Sequence, residues 1–506
     1  MKLKFLFILS FFVVTLQAQI ADLSKLSKGR MYSSDIIKDS KNNIKGYFLL
    51  FESDKVGKET YELQYVVLDE NLTKVTDGYI TEMKFESWLV DAQGVDVAVS
   101  LHKNKLLLRF ADDFQGQLAF HRYRTLDIKN NKISDPFVFI NDSLKINPVF
   151  DRKMSNMQNN QSDPITYFDG VGLVVQSYKT VKKKIVKRSF VHYDDNMKRV
   201  WEYEYYDKAK VDKTYSTIDY VASDDEVIVM FDHMVKKNGD YINDVSALFL
   251  NSDNGKLRSK FAFPEQDKYS YRIVDCKLGE DKIYIMGNYA EDQKSGLVND
   301  HDGLGIYTFI FDKATGKLSE KKFITWESMS ASLPINKNGL VKKEGYMFVH
   351  NMLYQPNGKV IVVGETFENA PITTNNMYFF ELSADFKLEQ TFEVSKFRNK
   401  FPQTSAYSRE IKNYGLFDFI DYQDLGDGEY LFLLNDNEKK SKNRKKSTLY
   451  GIVHYSDGKF ERQTLNLKTE NSSIHAMNAK KGYLMLYENF DERNKSSELR
   501  LEKVNY

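Results

Sequence analysis

A single cysteine, Cys276, stands in 506 residues, so no disulfide can form within the chain and no cluster of cysteine ligands can hold a metal. Proline is scarce, at 8 residues, and no Pro/Gly/Ser-rich linker interrupts the chain, which argues against a string of separate domains. Tryptophan is scarcer still, at 3, and there is neither a Trp-Asp dipeptide nor a Gly-Gly doublet, so WD40 and kelch repeats are not supported. His-Glu-x-x-His, Gly-x-Ser-x-Gly, a phosphate-cradling glycine loop and a dinucleotide fingerprint are also missing. No cofactor and no metal are therefore expected, and the eight histidines form no evident constellation. An enzyme is not excluded, because a site assembled from distant segments leaves no local motif. Charge of one sign is lacking too. Without Lys2 and Lys4 the chain carries 70 basic against 71 acidic residues, which argues against nucleic acid as a partner.

What the chain does have is a phrase repeated along its length. An apolar strand ends, a turn residue follows, and several positions later a new apolar residue opens the next strand. The flanking apolar pairs are Leu68/Val75, Leu126/Ile133, Tyr193/Val200, Leu250/Leu257, Phe311/Leu318, Leu382/Leu388 and Tyr455/Phe460. The residue after the first member is in turn Asp69, Asp127, Asp194, Asn251, Asp312, Ser383 and Ser456. Short side chains of this kind bond their own backbone two residues on and so initiate tight turns. These carboxylates are read as hairpin corners before any catalytic role. Ahead of each corner lies a dense apolar run, such as Ile283–Met286, Val360–Val363 and Tyr430–Leu434. Eight such runs occur, and runs of this length bounded by turn signals suit strands buried on both faces.

A weaker strand before each dense one completes a four-stranded unit, lettered A to D, with A innermost. The fold class expected is all-β, a β-propeller of eight four-stranded blades spanning residues 20–506 as one domain. Seven blades with one irregular hairpin is the alternative. The last unit ends at its C strand, and Ile20–Lys28 is the segment that could supply the missing D strand and close the ring.

Lys2 and Lys4, the apolar run Phe5–Leu16 and Gln17-Ala18-Gln19 read as a signal peptide over residues 1–19. The expectation is an exported protein, periplasmic or extracellular, with no transmembrane segment in the mature chain and monomeric. The abundance of aromatics, 35 Phe and 32 Tyr, suits packing between blades; an aromatic platform for sugars is the second reading.

On this architecture the A–B and C–D turns are short and share one rim, while the B–C loops and D–A connections are long and share the other. Long loops on a rigid scaffold are where binding concentrates. The longest D–A connections run approximately Asn141–Asp169, Trp326–Gly345 and Ser395–Gly415, and Phe150 lies in the first. The candidate ligand-binding residues are Trp326, Tyr407, Arg409, Tyr414, Arg398 and Tyr167, and no catalytic residue is assigned. Basic clusters at Lys182–Arg188 and Lys439–Lys446 read as solvated hairpin tips. The acidic stretch from Glu291 to Asp302 carries oxygen ligands for a hard cation but matches no known calcium loop spacing.

The Asp-x-x-x-Gly-Lys-Leu corner of unit five (Asp312, Gly316, Lys317, Leu318) and its counterpart in unit four (Asn251, Gly255, Lys256, Leu257) resemble those of quinoprotein-type and related bacterial propellers. The chain as a whole resembles secreted bacterial propeller-like proteins without an assigned activity. That resemblance implies the fold and carries over no functional residue. The expected function is non-enzymatic binding or scaffolding of a protein or glycan at the long-loop rim. A carbohydrate-active hydrolase or lyase working at the central channel is the alternative.

Overall fold

The computed structural model describes residues 20–504, apart from 30, 40–41, 58–59, 84–94, 113–120, 141–142, 148–164, 169–170, 182–183, 208–213, 237–240, 264–268, 292–302, 403–407, 438–446, 469–471 and 492–495. Eight antiparallel sheets follow one another along the chain, each ordered A-B-C-D, as a β-propeller of eight blades. Blade five is typical: A is Tyr269–Leu278, B Lys282–Glu291, C Gly303–Asp312 and D Leu318–Thr325. Blade six has A at Gly345–Tyr354, B at Val360–Asn369, C at Ile372–Leu382 and D at Leu388–Val394. Blade seven begins with A at Phe419–Gly426, followed by B at Glu429–Asn435. Residues 1–19, expected from the sequence to be a signal peptide, the tip Lys439–Lys446 and nearly all of the acidic stretch fall outside the described residues, as does Phe150.

The predicted corners are present. Asp69 Oδ1 accepts hydrogen bonds from Asn71 N and Thr73 N, both at 2.8 Å, and Asp312 Oδ1 accepts from Thr315 N at 2.8 Å. Five of the seven apolar pairs are direct cross-strand partners. At the other two, Leu68 pairs with Lys74 and Tyr193 with Arg199, one residue early, because the residue bulged out of the ladder is Val75 or Val200 itself.

The dense B strands explain why a blade cannot stand alone. In blade four, Val227, Val229 and Phe231 pack towards blade five, while Ile228 and Met230 pack towards blade three. Successive side chains point to opposite faces, so a continuous apolar run serves two neighbours at once. One apolar cluster fills each of the eight interfaces between adjacent blades. The ring closes as the sequence suggested. Ile20–Asp22 pairs antiparallel with the C strand of blade eight, Ile20 opposite Arg500 and Asp22 opposite Glu498. Leu23, 4% exposed, is packed into the interface between blades eight and one.

Inner strands are also stapled across blades. Asp35 accepts from its neighbour Ile36 N at 2.8 Å and from Val99 N of blade two at 2.7 Å. Asp275 of blade five repeats this, accepting from Cys276 N at 2.8 Å and from Met352 N of blade six. Asp421 of blade seven accepts from Tyr422 N at 2.9 Å, from Asn478 Nδ2 of blade eight at 2.9 Å and from Lys38 Nζ at 3.0 Å. In blades five, six and seven the ladder skips one residue immediately before this position, at Val274, His350 and Ile420. Bulges of this kind re-aim side chains, and the inner strands of blades one and four carry one too, at Tyr32 and Val221.

Candidate functional site

The D–A connection from blade six to blade seven, 395–418, is the predicted long loop with the most structure of its own. Just past the end of strand D, Lys396 turns inward. Its Nζ lies 2.6 Å from Asp418 Oδ2 and 3.2 Å from Glu365 Oε1, and all three side chains are 0% exposed. Asp418 stands at the far end of the connection, immediately before strand A of blade seven, and Glu365 sits within strand B of blade six. One buried ammonium thus clamps both ends of the connection onto the ring. Neutral donors reach the same carboxylates. Asp418 Oδ2 accepts from Asn399 Nδ2 at 3.0 Å and Thr374 Oγ1 at 3.2 Å, and Glu365 accepts from the backbone N–H of Asp418 at 3.1 Å and of Phe419 at 3.3 Å.

His350, the bulged residue of blade six, completes the cluster with its Nε2 3.1 Å from Glu365 Oε2. Burial pushes its pKa down, Lys412 and Arg272 push it further, and Glu365 opposes them. The imidazole is therefore neutral near pH 7 and donates its Nε2–H to the carboxylate. Burial alone would raise Glu365, but Lys396, His350 and the amides bring it below the ordinary carboxylate range. For Lys396 the order is reversed: burial would lower it, and the two carboxylates outweigh burial and raise it. Glu365 and Lys396 both hold the charge that the clamp needs.

A second group of charges lies nearer the surface. Arg272, on the inner strand of blade five, places its guanidinium 4.3 Å from the centroid of the Phe348 ring. Lys412, on the short helix Ser408–Asn413, places Nζ 6.0 Å from the same ring. Phe348 is 1% exposed and is held by Phe367, Ile372, Ile411 and Phe417. Burial and Arg272 depress the pKa of Lys412, with Asp275 opposing; burial lifts the Asp275 carboxyl to about 6. Asn288 is the cross-strand partner of Arg272, so their side chains share a face; it is 8% exposed and its Oδ1 has no hydrogen-bond partner among the described residues.

The residues singled out from the sequence fare differently from one another. Tyr414, 64% exposed, lies on the rim beside the helix. Arg398 is on the same connection and pairs with Glu368 at 2.5 Å. Arg409 falls within the helix Ser408–Asn413, and Tyr407 lies outside the described residues. Trp326 is in the core: it opens a one-turn helix at the end of strand D of blade five, is 2% exposed and packs against Ile306, Met329 and Val341. Tyr167 is on the inner strand of blade three, Ile165–Phe168, rather than in a connection, because 141–169 also contains the hairpin strand Ser143–Ile146. Sequence reading missed Lys396, Asp418, Glu365, His350, Arg272 and Lys412. Only Glu365 left a signal, as an ionisable residue inside an apolar strand. Among the described residues no group of three or more His, Cys, Asp or Glu is arranged to hold a metal, and no helix is long and apolar enough to cross a membrane.

The architecture defines the class, an eight-bladed β-propeller with its most elaborate connection between blades six and seven. The chain belongs to a family of unknown function, DUF6770, whose family model matches residues 1–373 and 370–505. No curated protein matches it. Among solved structures it is similar to the WD40 domain of SCAP from fission yeast (8% identity, 97% of this chain and 98% of that one, TM-score 0.38). It is also similar to an ulvan lyase of polysaccharide lyase family PL25 (12% identity, 81% and 91%, TM-score 0.39). A third is the α-L-arabinanase of Penicillium chrysogenum (8% identity, 65% and 89%, TM-score 0.27). None of these likenesses carries an argument about activity.

Proposed function

We propose that this is an exported, monomeric, non-enzymatic binding or scaffold protein that engages a protein or glycan through its long-loop rim, with the connection 395–418 as the contact platform. The observation that carries the reading is the clamp of Lys396 on Glu365 and Asp418. It spends two buried acids and a buried lysine on holding a loop in place, and all three are sealed from solvent and from any substrate. A loop fixed in this way presents Phe397, Arg398, Lys412 and Tyr414 with little conformational freedom left to lose on binding. A glycan array and a pull-down from the native envelope fraction, run beside a panel of polysaccharide hydrolase and lyase assays, test it. Binding without turnover is the expected result, and turnover of any polysaccharide overturns it.

One observation favours a second reading, a carbohydrate-active enzyme at the channel. Asp275 is raised to about 6 and Lys412 is lowered, so an acid and a base of the same region are both drawn towards neutrality. That reading requires turnover that is lost in Asp275→Asn while binding persists.

A further inference from the structure

Blade five and the helix Ser408–Asn413 bring two cations to one aromatic face. Arg272 stands 4.3 Å and Lys412 6.0 Å from the Phe348 ring centroid, and neither residue lies in the sealed clamp beneath. The two disfavour each other: burial and Arg272 hold the Lys412 ammonium below its ordinary range, with only Asp275 opposing. An oxyanion between them would relieve that repulsion, and a guanidinium is shaped to take a carboxylate with two parallel hydrogen bonds. Beside Arg272, on the same face of blade five, the buried Asn288 Oδ1 is an acceptor with no donor among the described residues. Buried acceptors of this kind call for one. The recognised group therefore combines an anion with a hydrogen-bond donor close by, and a ring hydroxyl beside a carboxylate meets both needs in one unit.

We propose that this cluster is a subsite for a uronic acid unit of an acidic glycan, its carboxylate on Arg272 and Lys412 and a ring hydroxyl directed towards Asn288. An aspartate or glutamate side chain supplies the carboxylate without the hydroxyl, which is why a sugar acid is chosen over an acidic peptide. This rests on the binding reading above and names the ligand chemistry of that rim.

The test is calorimetric titration of the full chain, at constant ionic strength, with sodium glucuronate, sodium acetate, glucose and N-acetylaspartate amide. Glucuronate is expected to bind at one site, glucose not at all, and the other two carboxylates about tenfold more weakly, the loss of one buried hydrogen bond. Lys412→Gln, at an exposed helical position that does not threaten folding, and Arg272→Gln are each expected to weaken glucuronate about tenfold. Lys387→Gln, on the opposite rim, leaves it unchanged. Absence of glucuronate binding, or full-strength binding in Lys412→Gln, overturns the subsite. Equal affinity for the aspartate probe overturns the sugar assignment in favour of a peptide. Array or pull-down binding that survives Lys412→Gln while glucuronate fails to bind removes this inference and leaves the rim reading intact. A rim reading that fails on the array and in the pull-down is separable, because glucuronate titration does not depend on either.

Discussion

Replacing Lys396 by Met keeps the volume of the side chain and removes its charge, leaving Glu365 and Asp418 buried at 0% exposure with no ammonium between them. Breaking a buried ion pair by deleting one partner costs about 3–5 kcal/mol, because the orphaned charge cannot return to water. The neutral donors that remain (His350, Asn399, Thr374 and two backbone amides) soften this but cannot cancel two negative charges. An unfolding entropy of roughly 2.1 cal/mol/K per residue gives about 1 kcal/mol/K for a chain of this size, so the melting temperature should fall by about 3–5 °C. The loss has a definite pH dependence. In the wild type Glu365 is held below its ordinary 4.5, so its contribution is present above that value and is lost as pH falls through the lowered one. In Lys396→Met, burial of Glu365 is opposed only by His350 and the backbone amides, so Glu365 protonates more readily as the pH is lowered and the gap between variant and wild type narrows. Scanning calorimetry from pH 8 to pH 4 measures this, and hydrogen exchange over 395–418 should show protection lost there before elsewhere. A drop under 1 kcal/mol, equal at pH 8 and pH 4, would refute the clamp. Addition of Glu365→Gln to Lys396→Met should recover part of the loss.

Asp275 titrates in the opposite sense. Its folded pKa, about 6, lies above the ordinary 3.8, so its stabilisation is full below 3.8 and is lost as pH rises through 6. Asp275→Asn, which keeps an oxygen for the Cys276 and Met352 amides, should gain up to roughly 3 kcal/mol at pH 8 and nothing at pH 4; a flat difference in urea unfolding across that range would contradict it. Leu23→Ala should cost roughly 2–4 kcal/mol by emptying a buried site behind the closing strand and should hasten proteolysis of blade eight; wild-type stability would mean that the ring does not depend on this closure. Trp326→Ala should cost about 3–5 kcal/mol and leave any ligand affinity unchanged once folded. Tyr414→Ala should change stability by less than about 0.5 kcal/mol and weaken glycan binding on the array.

The difference between what was legible and what was not follows from the range of the forces. A corner such as Asp312 is satisfied within its own four residues, by Thr315 N, so the turn is written where it occurs. The B strands are equally local, since a run that must serve two neighbours must be apolar at every position. Ring closure was legible from a shortage, a C strand without a D partner. The clamp was not. Lys396, Glu365 and Asp418 are 22 to 53 positions apart and become neighbours only when blades six and seven dock. Trp326 shows the converse: it begins a connection, which made it a candidate for ligand binding, yet its one-turn helix places it in the core with Ile306 and Val341.

The clamp and the cationic pair belong to one design. A ring of near-equivalent blades reuses one kind of staple between inner strands, as at Asp35, Asp275 and Asp421, and repetition alone creates no preferred place for a ligand. Asymmetry enters through which residue is bulged out among blades five, six and seven: Val274, His350 and Ile420. At the middle one, His350 turns onto Glu365, Glu365 recruits Lys396, and Lys396 fixes the connection whose helix delivers Lys412 opposite Arg272. Each step depends on the preceding one, so His350→Ala should loosen the connection and weaken an anion bound to Lys412, although His350 itself contacts neither. Fixing the Lys396 end alone, without the bulge, would leave Glu365 with one donor fewer and the loop held by a weaker pair.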